Sequence, residues 1–235
     1  MPSTPSSNRS RSGNPATKGR PTNSPTPRSS RTVIVVAAAI IAAVIVLFVI
    51  YNNASNQNGA NGTTAKGSYA VGSPGVGKAA PDFTLQSATG SPVKLADYRG
   101  KNVLLYFQEG LMCQPCWDQI TDLEKSSGAV KAAGIDAVVS ITSDPANLLA
   151  QKVKDQGIAS TPVLSDPDLA LSRKYSTNSY GMMGDSRNGH SFILVGPDGK
   201  IQWRADYGGA PNYTMYIPVK QLLADLGGEK TSTNQ

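Results

Sequence analysis

Leu104-Leu-Tyr-Phe-Gln-Glu-Gly-Leu-Met-Cys113-Gln-Pro-Cys116-Trp-Asp-Gln-Ile120 holds both cysteines of this 235-residue chain, at the point where a continuous apolar run gives way to a helical pattern. Cys-x-x-Cys at a strand-to-helix junction is the layout of a dithiol redox site, because two thiols so close in sequence can close and reopen a small disulfide ring without refolding the domain. Cys113 falls at or just before the helix N-terminus, where unpaired backbone N–H groups and the helix dipole favour thiolate over thiol. It is the expected nucleophile. Cys116, one turn further on, is the expected resolving thiol. A purely structural disulfide is the bland alternative, but a ring this short removes little entropy from the unfolded chain.

Outward from that segment, strands and helices alternate. Ala80 to Leu85 and Ser91 to Leu95 read as short strands around Gly90, Asn102 to Phe107 as a strand buried on both faces, and Cys116 to about Ala133 as a helix. Ile135 to Thr142 is a further strand. Ser143-Asp-Pro-Ala146 then supplies a cap and a first-turn proline for a helix ending before Gly157. Pro162 to Leu164 is a strand and Asp168 to Tyr175 a short helix. Phe192 to Val195 and Ile201 to Arg204 form a hairpin across Gly196-Pro-Asp-Gly199, and Ile217 to Leu226 is the last helix. The alternation predicts an α/β domain, a mixed central sheet flanked by helices, with Cys-x-x-Cys at the C-terminal end of a central strand.

The N-terminal third carries a different message. Val33 to Ile50 is an uncharged apolar run of about 27 Å as helix, enough to span a bilayer. Arg9, Arg11, Lys18, Arg20, Arg28 and Arg31 precede it with no acidic residue, and no cation follows it before Lys66. The positive-inside rule therefore predicts a single-pass cell-membrane protein, N-terminus cytoplasmic and folded domain extracytoplasmic. A cleaved signal peptide fits less well, since Asn52-Asn-Ala-Ser-Asn-Gln57 is a poor cleavage site. The expected organisation is a disordered basic tail (1–31), a transmembrane helix (32–51), a flexible linker (52–76), the folded domain (77–228) and a short tail (229–235). Beyond residue 31 the cations equal the 16 acidic residues, so the net charge of +6 belongs to the tail. No basic face is left for nucleic acid. The expected partners are membrane lipid, through residues 33–50, and a protein that exchanges a disulfide or dithiol with the site.

Four segments, Gly77-Lys-Ala-Ala-Pro-Asp-Phe-Thr-Leu85, Leu95-Ala-Asp-Tyr-Arg-Gly-Lys-Asn-Val-Leu-Leu-Tyr-Phe107, Pro162-Val-Leu-Ser-Asp-Pro-Asp168 and Phe192-Ile-Leu-Val-Gly-Pro-Asp-Gly-Lys-Ile201, resemble the redoxin side of the thioredoxin superfamily. That side includes peroxiredoxins of the AhpC/TSA type and membrane-anchored thioredoxin-like reductases. The resemblance implies a thioredoxin-like fold and either thiol-disulfide exchange or peroxiredoxin-like antioxidant chemistry, in which a hydroperoxide oxidises Cys113 and Cys116 condenses with it. The chain departs from these relatives in three places. Peroxiredoxins carry Pro-x-x-x-Thr-x-x-Cys, where this chain has Tyr106 and Gly110. Thioredoxins place a cis-proline before the strand facing the cysteines, where this chain has His190-Ser191. The loop bearing His190, the only histidine, is also similar to that of Sco-type copper chaperones, though those use a longer cysteine spacing.

His190 is accordingly a candidate proton shuttle, thiolate stabiliser or ligand, with a hydrogen-bonded structural histidine as the alternative. Under the copper alternative Cys113, Cys116 and His190 form the ligand set and Met182-Met183 add thioethers; the leading expectation needs no metal or cofactor. Trp117 is a candidate substrate platform over the disulfide, with surface packing as its alternative. Glu109 and Asp118 are proton acceptors for Cys116 or solvated charges, solvation being favoured. Arg187 is the residue the resemblance places near the thiolate, although its surroundings read as a polar loop.

Overall fold

The computed structural model describes residues 35–36, 39–47 and 69–232, the last four as backbone only. It divides into two compact units, residues 1–54 and 55–235. In the first, residues 35–36 and 39–47 are helical, with exposed valine and isoleucine side chains. Among the described residues no helix is long and apolar enough to cross a membrane. The basic tail, the rest of the 33–50 span and linker residues 52–68 lie outside the described residues.

The second unit is a seven-stranded sheet with spatial order β2-β1-β5-β4-β3-β6-β7, built from β1 (Thr84–Ser87), β2 (Pro92–Lys94), β3 (Val103–Phe107), β4 (Ala137–Thr142), β5 (Val163–Ser165), β6 (Ser191–Val195) and β7 (Ile201–Asp206). β3 pairs in parallel with β4 and β4 with β5; the other pairings are antiparallel, so the sheet is mixed. Every residue of β3 is buried because apolar layers cover both faces. Leu104 and Tyr106 join Trp117, Ile120 and Leu123 of α1 (Gln114–Lys125), Val130 of α2 (Ser127–Ala132), Leu149 of α3 (Ala146–Asp155) and Leu222 and Leu226 of the C-terminal helix on one face. Val103, Leu105 and Phe107 pack with Leu171 of α4 (Ala170–Lys174) and with Tyr175 on the other. The period-two alternation of a strand thus feeds two cores from one run of apolar residues.

Several boundaries differ from the sequence expectation, four of them with a clear physical reason. The long helix is two: α1 starts at Gln114, and the chain bends at Ser126 before α2, where Ser126-Ser127-Gly128 is weakly helix-forming. The first strand begins at Thr84, past Pro81, which cannot donate to a ladder. The last helix, α5 (Val219–Ser232), starts later and runs into the expected tail. The fold also begins before Gly77. Tyr69 is buried edge-on against Trp203 and Tyr207, Ala70 bridges Asp206, and the Gly72 N–H donates to the Asp206 carboxylate at 2.7 Å. Asp206 is held in turn by Arg204 through two bonds of 2.8 and 3.0 Å, both side chains fully buried. One aromatic and one buried ion pair thus convert the end of a Gly/Ser-rich stretch into a strap along β7.

Candidate active site

β3 delivers the chain to the C-terminal edge of the sheet, and the segment from Gln108 to Met112 turns it into α1. Cys113 is the N-cap of α1, Pro115 occupies its first turn, and the two sulfurs are joined at 2.08 Å with the Cα atoms 5.3 Å apart. The structure therefore represents the oxidised state. Cys113 retains 8% of its surface and Cys116 none. An incoming sulfur meets Cys113 first, at the positive end of a twelve-residue helix.

The turn before Cys113 is held by buried polar bonds. Gln108 Oε1 accepts from the Gly110 N–H at 2.9 Å, and Trp117 Nε1 donates to the Gly110 carbonyl at 3.0 Å. Asp144 Oδ2 accepts from the Leu111 N–H at 2.7 Å and from the Thr142 hydroxyl at 3.0 Å. Arg187 donates to Asp144 Oδ1 at 3.0 Å and to the Glu109 carbonyl at 2.9 Å. Gly110 is required here: its φ is +105°, and a Cβ would overlap the Asp144 carboxylate and the Thr142 hydroxyl. This accounts for the departure from the peroxiredoxin pattern. Where that pattern puts a threonine, this chain has a left-handed glycine with an aspartate against it.

His190 lies just before β6, beside the end of β3, and is completely buried among Tyr106 and Phe192 rings. Tyr106 Oη is 2.9 Å from His190 Nδ1 and 3.4 Å from the Cys116 carbonyl oxygen. The Tyr106 hydroxyl thus bridges the imidazole and the Cys116 carbonyl, and among the described residues Nε2 has no hydrogen-bond partner. Desolvation pushes the His190 pKa down to about 3, so the ring is neutral. Burial, with a smaller contribution from Glu109, raises Tyr106 well above its usual value and keeps it a neutral donor.

The remaining candidates are placed as follows. Trp117 is fully buried, so it cannot present a face to a substrate in this conformation; its role is to hold the turn, with Lys152 Nζ 5.7 Å from its ring centre. Asp118 is exposed and bonded by Gln114, and Glu109 accepts from the Met182 N–H at 3.2 Å. Met182 and Met183 are exposed. Among the described residues no group of three His, Cys, Asp or Glu side chains is placed to hold a metal ion, and in this state each cysteine sulfur is bonded to the other. Met215, which forms one buried cluster with the two cysteines, belongs to no motif and is invisible in the sequence. Asp144 was legible only as a helix cap; Pro145 holds the N-cap position and Asp144 turns to the site instead.

Residues 76–204 match the AhpC/TSA family. The chain is 38% identical over 130 residues to a Mycobacterium tuberculosis protein carrying a provisional peroxiredoxin name, covering 53% of this chain and 80% of that protein. It is 30% identical over 129 residues to peroxiredoxin Bcp of Escherichia coli, covering 54% and 81%. It is 28% identical over 99 residues to the thiol-disulfide oxidoreductase ResA of Halalkalibacterium halodurans, covering 42% and 55%. The solved structure of peroxidoxin BcpB from Mycobacterium tuberculosis shares the fold, with a TM-score of 0.54 at 19% identity over 65% of this chain and 96% of that one. With its family match, these relatives and a closed Cys113–Cys116 pair at the end of a central strand, the chain belongs to the AhpC/TSA family of thioredoxin-like redox enzymes.

Proposed function

We propose that the chain exchanges disulfides with another protein, Cys113 attacking and Cys116 resolving. The observation that carries this is the asymmetry of the pair: Cys113 reaches the surface at a helix N-terminus, while Cys116 is sealed beneath it. The Cys113 thiolate attacks one sulfur of the partner's disulfide, forming a mixed disulfide and expelling the other sulfur as a thiolate. Cys116, as thiolate, then attacks the Cys113 sulfur. The Cys113–Cys116 bond forms, the partner leaves with both sulfurs reduced, and two electrons have passed from enzyme to partner; the reverse sequence oxidises a partner dithiol. The chemistry uses the two sulfurs alone and takes no cofactor. His190 acts through Tyr106, whose hydroxyl reaches both the imidazole and the Cys116 carbonyl, as a neutral residue that positions the first turn of the helix bearing the buried thiol. The apolar run 33–50 behind six cations supports an extracytoplasmic, membrane-anchored site.

A second reading rests on the peroxiredoxin relatives. A hydroperoxide would transfer one oxygen to the Cys113 thiolate, giving a sulfenic acid and an alcohol or water, and the Cys116 thiol would condense with it to the disulfide and water. The Gly110–Asp144 arrangement, in place of the threonine, favours the first reading. The two separate when the reduced full-length chain is mixed with a protein disulfide and, separately, with hydrogen peroxide. Disulfide exchange predicts faster closure of Cys113–Cys116 by the protein disulfide; faster closure by peroxide reverses the assignment.

A further inference from the structure

β7 is the last strand of the sheet, and the strap covers its outer edge: the Ala70 N–H donates to the Asp206 carbonyl at 3.0 Å and the Asp206 N–H to the Ala70 carbonyl at 2.8 Å. Arg204 ties the strap down further by donating to the Pro74 carbonyl at 3.1 Å. The same guanidinium lies 5.9 Å from the ring centre of Tyr180. Gly72 of the strap faces that ring as well, since a Cβ on it would meet Arg204 Nη2 and come within 2.8 Å of Tyr180 Cε2 and Oη. The Tyr180 ring is therefore packed against the strap. Its backbone is packed as tightly against the segments that carry His190. A Cβ on Gly189 would overlap the Tyr180 carbonyl, and one on Gly208 would overlap both that carbonyl oxygen and the His190 backbone nitrogen. Tyr207 and Gly208 in turn donate their N–H groups to the His190 carbonyl at 2.8 and 3.2 Å.

We infer that Tyr180 is a positioning residue for closure of the Cys113–Cys116 bond, and that the strap acts on the dithiol through it. Two routes lead from Tyr180 to the pair. Through Gly189 and Gly208 it fixes the backbone of His190, whose Nδ1 is bonded to Tyr106 Oη at 2.9 Å, and that hydroxyl reaches the Cys116 carbonyl at 3.4 Å. Through the chain it places the Met182 N–H, which donates at 3.2 Å to Glu109 in the turn before Cys113. Every link is a bond or a contact too close for an added methyl, so a displacement of Tyr180 is passed along rather than absorbed. Closure gives two electrons and two protons to an oxidant disulfide as the bond between the sulfurs forms. It requires both cysteines to be held in register, whereas the open dithiol does not. Fixing their backbones raises the effective concentration of one sulfur at the other and favours the closed pair. Loosening Tyr180 therefore costs the closed form more than the open one. The inference rests only on a pair that opens and closes, which the exchange and peroxide readings share. The strap lies ahead of residues 76–204, the span that matches the family, so this control belongs to what the chain adds to the family fold.

The test measures the equilibrium constant for closure in full-length chain in detergent, using redox buffers of glutathione and of dithiothreitol and counting free thiols by alkylation. Three variants are compared with wild type: Tyr180→Ala removes the ring, Tyr180→Phe keeps it, and Gly72→Ala pushes on it from the strap. The inference predicts that Tyr180→Ala and Gly72→Ala each lower the closure constant at least about fivefold, while Tyr180→Phe stays within about twofold of wild type. Thermal melts of the oxidised and reduced forms supply the control, because a residue that only packs destabilises both forms alike and leaves the constant unmoved. A closure constant within about twofold of wild type in either Tyr180→Ala or Gly72→Ala overturns the inference, whatever the melts show. A Tyr180→Phe constant as low as that of Tyr180→Ala overturns it too, since the ring would then not be the part that positions. Should Tyr180→Ala fail to fold, Gly72→Ala decides alone. A wild-type pair that neither buffer opens reversibly overturns the inference together with both readings of the function, whereas turnover of peroxide in place of a protein disulfide removes the exchange reading and leaves this one standing.

Discussion

Gly110→Ala is the smallest change that tests how the nucleophile is held. The new methyl faces two obstacles. The backbone sits at φ +105°, a conformation that costs a residue bearing a Cβ about 1–3 kcal/mol. The Cβ would also overlap the Asp144 carboxylate, which cannot retreat without losing its bond to the Leu111 N–H and its pair with Arg187. Leaving that partly buried N–H unpaired costs about another 1–3 kcal/mol. Together these come to about 4 kcal/mol, or a fall in Tm of about 8–16 °C for a folded unit of this size. Thermal and urea melts of the oxidised chain measure the loss. Adding Asp144→Ala relieves the overlap, so the double variant should lose at least 1 kcal/mol less than the sum of the singles, by the coupling expected of groups in contact. A Gly110→Ala protein that melts within about 2 °C of wild type would refute the clamp.

Other expectations follow from buried charge and burial. Arg204→Ala strands the Asp206 carboxylate without its partner and should cost about 3–5 kcal/mol in urea melts, since both side chains are fully buried. His190 has a folded-state pKa pushed down to about 3 by desolvation, against about 6.5 unfolded. The unfolded chain therefore takes up a proton that the folded one refuses, and stability falls by about 1.4 kcal/mol per pH unit as pH drops below about 6.5. Between pH 7 and 4.5 wild type should lose about 3 kcal/mol more than His190→Phe; equal losses in the two proteins would show that His190 is not buried as described.

The strand-to-helix reading of Leu104 to Ile120 was legible because two strong local signals coincide there, an apolar run buried on both faces and a cysteine pair at its end. The mixed sheet followed from the alternation of apolar runs with Gly and Pro punctuation. What stayed hidden depends on pairings distant in sequence. Asp144 and Arg187 meet the turn before Cys113 only because β4 lies beside β3 and the loop before β6 folds over both. Tyr69 reads as the end of a polar linker until β7 supplies Trp203 and Tyr207 for it to pack on. Trp117, read as a surface platform, is drawn inward because its indole N–H has the Gly110 carbonyl to bond. The resemblance set His190 opposite the cysteines, but its bond to Tyr106 could be seen only in three dimensions.

The most direct test of the central claim is a trapping experiment on reduced full-length chain, comparing Cys116→Ser with Cys113→Ser after mixing each with an oxidised protein substrate and quenching by alkylation. If Cys113 attacks and Cys116 resolves, Cys116→Ser accumulates a stable mixed disulfide through Cys113, seen by mass spectrometry, and Cys113→Ser accumulates none. A mixed disulfide forming as readily through Cys116 in Cys113→Ser, or in neither variant while peroxide still oxidises Cys113, would contradict it.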